Sequence, residues 1–356
     1  MMVSAAATRS TPFFDFAFAL PDHLARGADV ARDLRGLPQR SDIGNILILG
    51  MGTGRSAGLS VRAAGSAAIP VPILVESSYE LPACIGERSL VFAVSGSGST
   101  DEVNYAAAAS AARGARLVVV SVAGWLVDFA QDSGATLIRI PPDIRFARAT
   151  FGVVIGSLLT VLQDIGFLPE ARLWIESAAS QLRRRREELF RDDSIAERLA
   201  SLLVGRHVLC QGDTPIGATA AERWKAQINQ NSKQSASLSE QPNASHNEAV
   251  AWDCRSDQTL QRDAAVLLRH GYEDPRVSQR IDRLEQYLSG KVPVHTVRGE
   301  GDTPFAALMD LVMIGDVTSL HLADLNGVDP GSVQFISHTV KEGLASPKLG
   351  KETAGS

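Results

Sequence analysis

The sequence predicts an α/β protein made of two tandem, doubly wound parallel sheets flanked by helices. Three observations point there. Short apolar runs of strand length alternate with Ala-rich, helix-compatible stretches through the first half of the chain. The same alternation begins again at Arg206-His207-Val208-Leu209-Cys210-Gln211-Gly212, after a charged helical stretch. Glycines and small hydroxyl residues follow two of the apolar runs, and ligands of open α/β sheets bind beyond the carboxyl ends of strands.

The elements follow in order. Leu20, Leu24, Val30, Leu34 and Leu37 fit helical spacing and mark a helical arm within residues 1–44. The first unit, 45–168, opens with the apolar strand Asn45–Gly50. Pro72–Val75, Leu90–Ser95, Ala115–Ser121 and Thr136–Ile140 continue the sheet, with Ser56–Ala64 and Val103–Ala112 as helices between strands. Residues 169–203 read as a charged helical linker running from Pro169 to about Leu203. Its Arg183–Arg186 run is expected to be a solvated helix face, because an acidic chain is a poor nucleic-acid binder. The second unit, 204–347, takes strands from Arg206–Gly212, Ala264–Leu268 and Val292–Val297, and residues 348–356 form a Gly-, Ser- and Lys-containing tail.

Composition narrows the function classes. A chain of 356 residues has room for two domains, and 45% hydrophobic with 21% charged residues describes a soluble globular protein. The net charge of −5 argues against a nucleic-acid or anionic-membrane partner. Cys84, Cys210 and Cys254 are isolated, so neither a disulfide frame nor a Cys-based zinc site is expected. No pair of His, Cys or carboxylates shows ligand spacing, and no metal or organic cofactor is expected. Phe13 to Leu20 lacks the framing of a signal peptide, and the apolar run Val153–Leu162 is too short to span a bilayer. The expectation is a cytoplasmic protein.

The most informative stretch is Ser95-Gly96-Ser97-Gly98-Ser99-Thr100-Asp101-Glu102. A buried strand running into small hydroxyl residues and then a helix builds a nest of backbone N–H groups that holds a phosphate, with hydroxyls as extra donors. A plain Ser/Gly turn capped by Thr100 or Asp101 is the competing reading. Gly50-Met51-Gly52-Thr53-Gly54-Arg55 follows the first strand, where the backbone must approach a ligand closely. Dinucleotide binding, with Glu76 on the ribose, is disfavoured because Arg55 occupies the third-glycine position of G-x-G-x-x-G.

Together the two loops fit a sugar-phosphate isomerase (SIS) domain. The chain resembles the bifunctional phosphoglucose/phosphomannose isomerase family, a tandem-SIS group, from about Leu20 to Leu344. The likeness rests on Gly50-Met51-Gly52, Ser95-x-Ser97-Gly98-x-Thr100-x-Glu102 and Ala147-Arg148-Ala149. In the second half it rests on Arg223-Trp224-Lys225, Asn229-Gln230-Asn231-Ser232-Lys233, Pro242 with His246-Asn247-Glu248, Leu268-Arg269, and Gly315-Asp316 through Asp329-Pro330. The resemblance implies aldose–ketose isomerisation of a sugar 6-phosphate through an enediolate, without a cofactor. It makes Ser95, Ser97 and Thr100 phosphate ligands, places Ser99, Gly52, Thr53 and Gly54 with them at the substrate, and makes Arg148 the active-site arginine. It assigns ring opening to His246 and a catalytic role to Lys341. It also implies a homodimer in which His246 comes from the partner subunit, and the arm from Leu20 to Leu37 is expected to help by packing across it.

Three departures qualify the likeness. Thr53-Gly54-Arg55 replaces the family's Gly-Ser-Gly, leaving Thr53 or Arg55 to substitute for a phosphate-binding serine. Ser99 stands where asparagine is usual. Gln230, sixteen residues before His246, stands where the family carries its glutamate base. An amide cannot abstract the C2 proton, and losing a positioned base costs about 10²–10⁴-fold in rate. Glu222, Glu240 and Glu248 are nearby in sequence, but on one helix Glu222 would stand two turns from Gln230, roughly 12 Å away. Alternatives to an active isomerase are a sugar-phosphate-binding sensor or regulatory protein, and an SIS enzyme with another substrate.

Overall fold

The computed structural model describes residues 12–144, 146–252 and 262–332. Two short helices, α1 (Pro12–Phe18) and α2 (Leu20–Val30), precede the first sheet. That sheet holds β1 (Asn45–Gly50), β2 (Ile73–Glu76), β3 (Ser89–Ser95), β4 (Arg116–Ser121) and β5 (Thr136–Arg139), in the order β2-β1-β3-β4-β5. All its pairings are parallel, and Ile46 faces Ile73 on one side and Leu90 on the other. Every residue of β3 is buried, as expected for a central parallel strand covered on both faces. The connecting helices are α3 (Thr53–Gly65), α4 (Asp101–Ala112) and α5 (Trp125–Ser133). A 3₁₀ turn, Ala147–Thr150, then leads into α6 (Phe151–Asp164), which is buried from Phe151 to Leu162.

The second half runs through α7 (Ala171–Leu189), α8 (Ile195–Leu203), β6 (His207–Asp213) and α9 (Ile216–Gln227). A π-helical turn, Ile228–Ser232, extends α9 into the connection to β7 (Ala236–Gln241). After it come β8 (Asp263–His270), α10 (Pro275–Leu288), β9 (Val294–Gly299) and α11 (Pro304–Leu325). The second sheet is also parallel, ordered β7-β6-β8-β9. Of the helices, α11 is long and apolar enough to cross a membrane, yet it is buried inside the protein along its apolar window. Its buried polar groups are paired: Asp316 takes both arms of Arg223, at 2.9 and 2.8 Å.

Four expectations change in the structure. The N-terminal arm is helical only to Val30. It packs on its own chain: Gly27 approaches the Val153 backbone and Gly156 the Leu24 backbone, so closely that a Cβ on either would stand 2.3 Å from a carbonyl oxygen. The apolar face expected to meet a second subunit is thus spent on α6. The single linker helix is two helices, separated at Asp193 (φ 56°) and restarted by Ser194. Ser194 Oγ accepts the Glu197 amide, and the Glu197 carboxylate accepts the Asp193 amide, a capping arrangement legible in Ser194-x-x-Glu197. The Arg183–Arg186 run is no free solvated face. Arg185, 12% exposed, grips the fully buried Asp310 with two bonds, and Arg183 and Arg186 both clamp Asp22. Finally, β7 escaped the sequence reading. Its Ala-Ser-Leu-Ser-Glu-Gln has no apolar run, because an edge strand pairs on one side only and tolerates polar residues.

Candidate functional site

In the first sheet the chain reverses direction of winding between β1 and β3, which opens a crevice at their carboxyl ends. Both glycine-containing loops lie there. At the first, β1 ends at Gly50 and α3 begins at Thr53, capped by Gly52 with φ 49°. A Cβ on Gly50 would collide with Gly54, so strand and helix touch backbone to backbone. Thr53 and Arg55 occupy the first turn of α3 half-buried, and neither side chain has a protein partner among the described residues.

The second loop is organised around its hydroxyls. Ser95 Oγ accepts the Gly98 amide at 3.0 Å and sits 2.8 Å from Thr100 Oγ1. Ser97 Oγ accepts the Ser99 amide at 3.3 Å, with both side chains exposed. Gly98 has φ +67° and lies so close to Ala123 O that only glycine fits. Thr100 caps α4 without a side-chain bond to the helix, so the first amides of α4 keep their free ends toward the loop. The loop thus turns the Ser97 and Ser99 side chains outward beside the start of α4.

Arg148 reaches this crevice from the 3₁₀ turn after β5. Ala147 packs against Gly96, while the Arg148 guanidinium donates to Asn231 Oδ1 and, at 2.8 Å, to Pro330 O. Its plane covers the Phe13 ring at 4.5 Å. No carboxylate among the described residues pairs with it. Burial, and then the charge of nearby Arg223, pull its pKa down to about 10. Asn231 is 3% exposed, and its amide is oriented by its other end, where Nδ2 donates to Ser319 Oγ at 2.8 Å. Lys233, just beyond the π-helix, donates from Nζ to Gln230 O at 2.6 Å and Ser332 O at 2.7 Å. The π-helix thus puts the Gln230 carbonyl on Lys233 and the side chain of the next residue, Asn231, on Arg148.

The site therefore lies between the carboxyl edge of the first sheet and the amino edge of the second. Ser56 Oγ, bonded to Glu222 Oε2 at 2.9 Å, forms a second tie across the same seam. Ala147, beside Arg148, packs against Gly96 of the 95–100 loop, and Arg148 itself meets Asn231, the residue after Gln230. His246 does not join them. It follows β7, whereas Gln230 precedes it, and a six-residue strand separates its ends by roughly 20 Å. There His246 is exposed, and its Nε2 accepts from Arg280 Nη1 at 3.1 Å. Lys341 and Cys254 lie outside the described residues. The sequence reading missed the parts played by Asn231 and Lys233. Both stand within three residues of Gln230, but only the π-helical turn aims them at Arg148 and Pro330. Among the described residues no three His, Cys, Asp or Glu side chains group as metal ligands.

Comparison with known proteins identifies the lineage. A bifunctional phosphoglucose/phosphomannose isomerase of Aquifex aeolicus is 30% identical over 275 residues, covering 76% of this chain and 81% of that protein. The chain belongs to the bifunctional phosphoglucose/phosphomannose isomerase family. A second member of the family, from Caldicellulosiruptor bescii, is 28% identical over 341 residues, 94% of this chain and 99% of its own. Residues 192–342 match the bacterial phospho-glucose isomerase C-terminal SIS domain. In fold, the chain is similar to tagatose-6-phosphate ketose/aldose isomerase from Escherichia coli, with a TM-score of 0.71 at 14% identity over 98% of this chain and 100% of that one. It is also similar to the C-terminal domain of glucosamine-fructose-6-phosphate aminotransferase from Francisella tularensis (TM-score 0.70, 12% identity, 92% and 99% coverage). The tandem α/β architecture read from the sequence is thus the SIS fold of this family.

Proposed function

We propose that the protein binds hexose 6-phosphates and interconverts glucose 6-phosphate or mannose 6-phosphate with fructose 6-phosphate. Residues 45–168 and 204–347 form the two SIS units, and the protein acts in the cytoplasm without a cofactor. The single observation that carries the reading is Arg148: a half-buried guanidinium with no carboxylate partner among the described residues, beside Ala147, which packs against Gly96 of the hydroxyl-rich loop. In this reading Ser95, Ser97, Ser99, Thr100 and the amides at the start of α4 hold the phosphate. Gly52, Thr53 and Gly54 line the crevice, and Arg55 adds a guanidinium suited to phosphate. Arg148 faces the oxyanion that grows as the enediolate forms, where a fixed cation is worth most.

The remaining steps need groups from elsewhere. His246 serves ring opening only from a second copy, which makes the functional unit a homodimer, and Lys341 is assigned a catalytic role in the segment after Pro330. Gln230 cannot act as base. Glu222 is the carboxylate nearest along α9, held by Ser56, and moving a C2 proton to it requires a shifted sugar. A second reading therefore stands beside the first on the strength of Gln230: a sugar-phosphate sensor that keeps the pocket and lacks the proton transfer.

One experiment separates them. Fructose 6-phosphate is incubated with the protein in D₂O and followed by proton NMR. Glucose or mannose 6-phosphate carrying deuterium at C2 supports isomerisation with another base. Without turnover by folded protein, Gln230→Glu is measured next, and a gain of about 10²–10⁴-fold supports the sensor reading on an intact pocket. No turnover by either protein rejects hexose 6-phosphate isomerisation.

A further inference from the structure

The turn that carries Arg148 is held from the N-terminal arm. Arg26 of α2 donates twice to Asp143, at 2.6 and 2.7 Å. His23, also on α2, is hydrogen-bonded to the Ala149 backbone. From α1, the rings of Phe13 and Phe16 pack on Phe146, with centroids 5.1 and 5.0 Å apart. Arg148 thus stands in a short segment that the arm grips on both sides of it. Phe13 is 8% exposed, and the Arg148 guanidinium lies over its ring at 4.5 Å. The same ring fills the space beside Gly331, where an added Cβ would stand 2.9 Å from it. Gly331 follows Pro330, whose carbonyl accepts Arg148 Nη2 at 2.8 Å. Ring, guanidinium and residues 330–331 therefore form one packed unit, with Asn231 Oδ1 as the other acceptor.

Packing alone does not call for a ring at this place. Any apolar side chain of that size would exclude water, but only an aromatic face attracts a cation, and it does so best when both are desolvated. A long arginine side chain has many rotamers, and ordering it when a ligand arrives costs affinity. A guanidinium laid on a ring, with its rim bonded to Asn231 and Pro330, is ordered beforehand. We propose that Phe13 is a positioning residue for Arg148: its ring orients the guanidinium toward the sugar end of a bound sugar phosphate. Helix α1 thereby sets how strongly the sugar, as distinct from its phosphate, is held. The inference rests on the reading of Arg148 as the cation that faces the reacting end of the sugar.

Isothermal titration of the full chain with fructose 6-phosphate and with inorganic phosphate tests it. Arg148→Met is expected to weaken fructose 6-phosphate by about tenfold or more, as the loss of a charged hydrogen-bond donor does. Phe13→Leu keeps the apolar bulk and removes the ring face. It is expected to weaken fructose 6-phosphate about three- to tenfold and to leave inorganic phosphate unchanged. Gly331→Ala displaces the ring from outside and should reproduce that loss, so the outcome does not hang on the folding of one variant. The deciding comparison is the double variant: with Arg148→Met already in place, Phe13→Leu should cost nothing more, because the ring acts through the guanidinium. Three results would overturn the inference and leave the reading of Arg148 standing. They are losses that multiply in the double variant, equal losses for sugar phosphate and inorganic phosphate, and full affinity in both Phe13→Leu and Gly331→Ala. Unchanged affinity in Arg148→Met, or no binding of fructose 6-phosphate by the wild type, removes the reading of Arg148 itself and this inference with it.

Discussion

At the scale of single residues, the proposed chemistry turns on Arg148. Burial, and then Arg223, bring its pKa down to about 10, and burial followed by Arg148 lowers that of Lys233. Only the protonated forms attract an anion, so affinity should be flat from neutral pH to about 9 and fall as pH rises through 10. Titrations of glucitol 6-phosphate at a series of pH values check this, and a loss that begins below pH 8 would assign the attraction to other groups. Gln230 is the residue where sequence spoke most plainly: the change from carboxylate to amide is visible without coordinates. The partners that surround it were not visible. Asn231 reads as one more polar residue until its Nδ2 is seen on Ser319 and its Oδ1 under Arg148.

At the scale of elements, close approach decides stability. The crossing of α2 and α6 rests on Gly27 and Gly156, each against backbone that cannot rotate away. Gly156→Ala should cost about 1–3 kcal/mol by overpacking, measured by denaturant unfolding. An unchanged midpoint would mean that the helices separate freely. The Ser194 cap is a milder case, and Ser194→Ala should cost about 1 kcal/mol, with the loss confined to the α7–α8 junction in hydrogen exchange. Apolar strands such as β1 and β3 were legible because central parallel strands must be apolar throughout. The edge strand β7 was not, since half of its surroundings are solvent or polar. The Arg183–Arg186 run misled for a related reason: periodicity shows which face of α7 is charged, but not that Asp22 and Asp310 wait opposite it.

For the whole molecule, the proposed site lies at the seam between the sheets. Arg148 on Asn231 and Ser56 on Glu222 join the two halves, so the candidate pocket exists only while both are in place. His246, on the far side of β7, is the exception, and its use requires a second chain. A homodimer at micromolar concentration is therefore expected by sedimentation. In an active background, mixing Arg148→Met with His246→Ala should restore activity that neither variant has alone. A persistent dimer without such restoration would confine His246 to its own subunit.

The sequence by itself determined the tandem α/β plan, the glycine–hydroxyl loop after β3 and the family, because apolar strand runs and short glycine–hydroxyl motifs are local and survive in the linear order of residues. It also exposed the amide at Gln230. Only the tertiary structure decided what surrounds that amide. The pairing of Arg148 with Asn231, the turning of Lys233 onto Gln230 and Pro330, and the separation of His246 across β7 depend on how one sheet's carboxyl edge meets the other's amino edge. Arg148 with Asn231 and Lys233 with Pro330 join residues more than eighty positions apart, and charge compensation, unlike periodicity, leaves no local trace in a sequence.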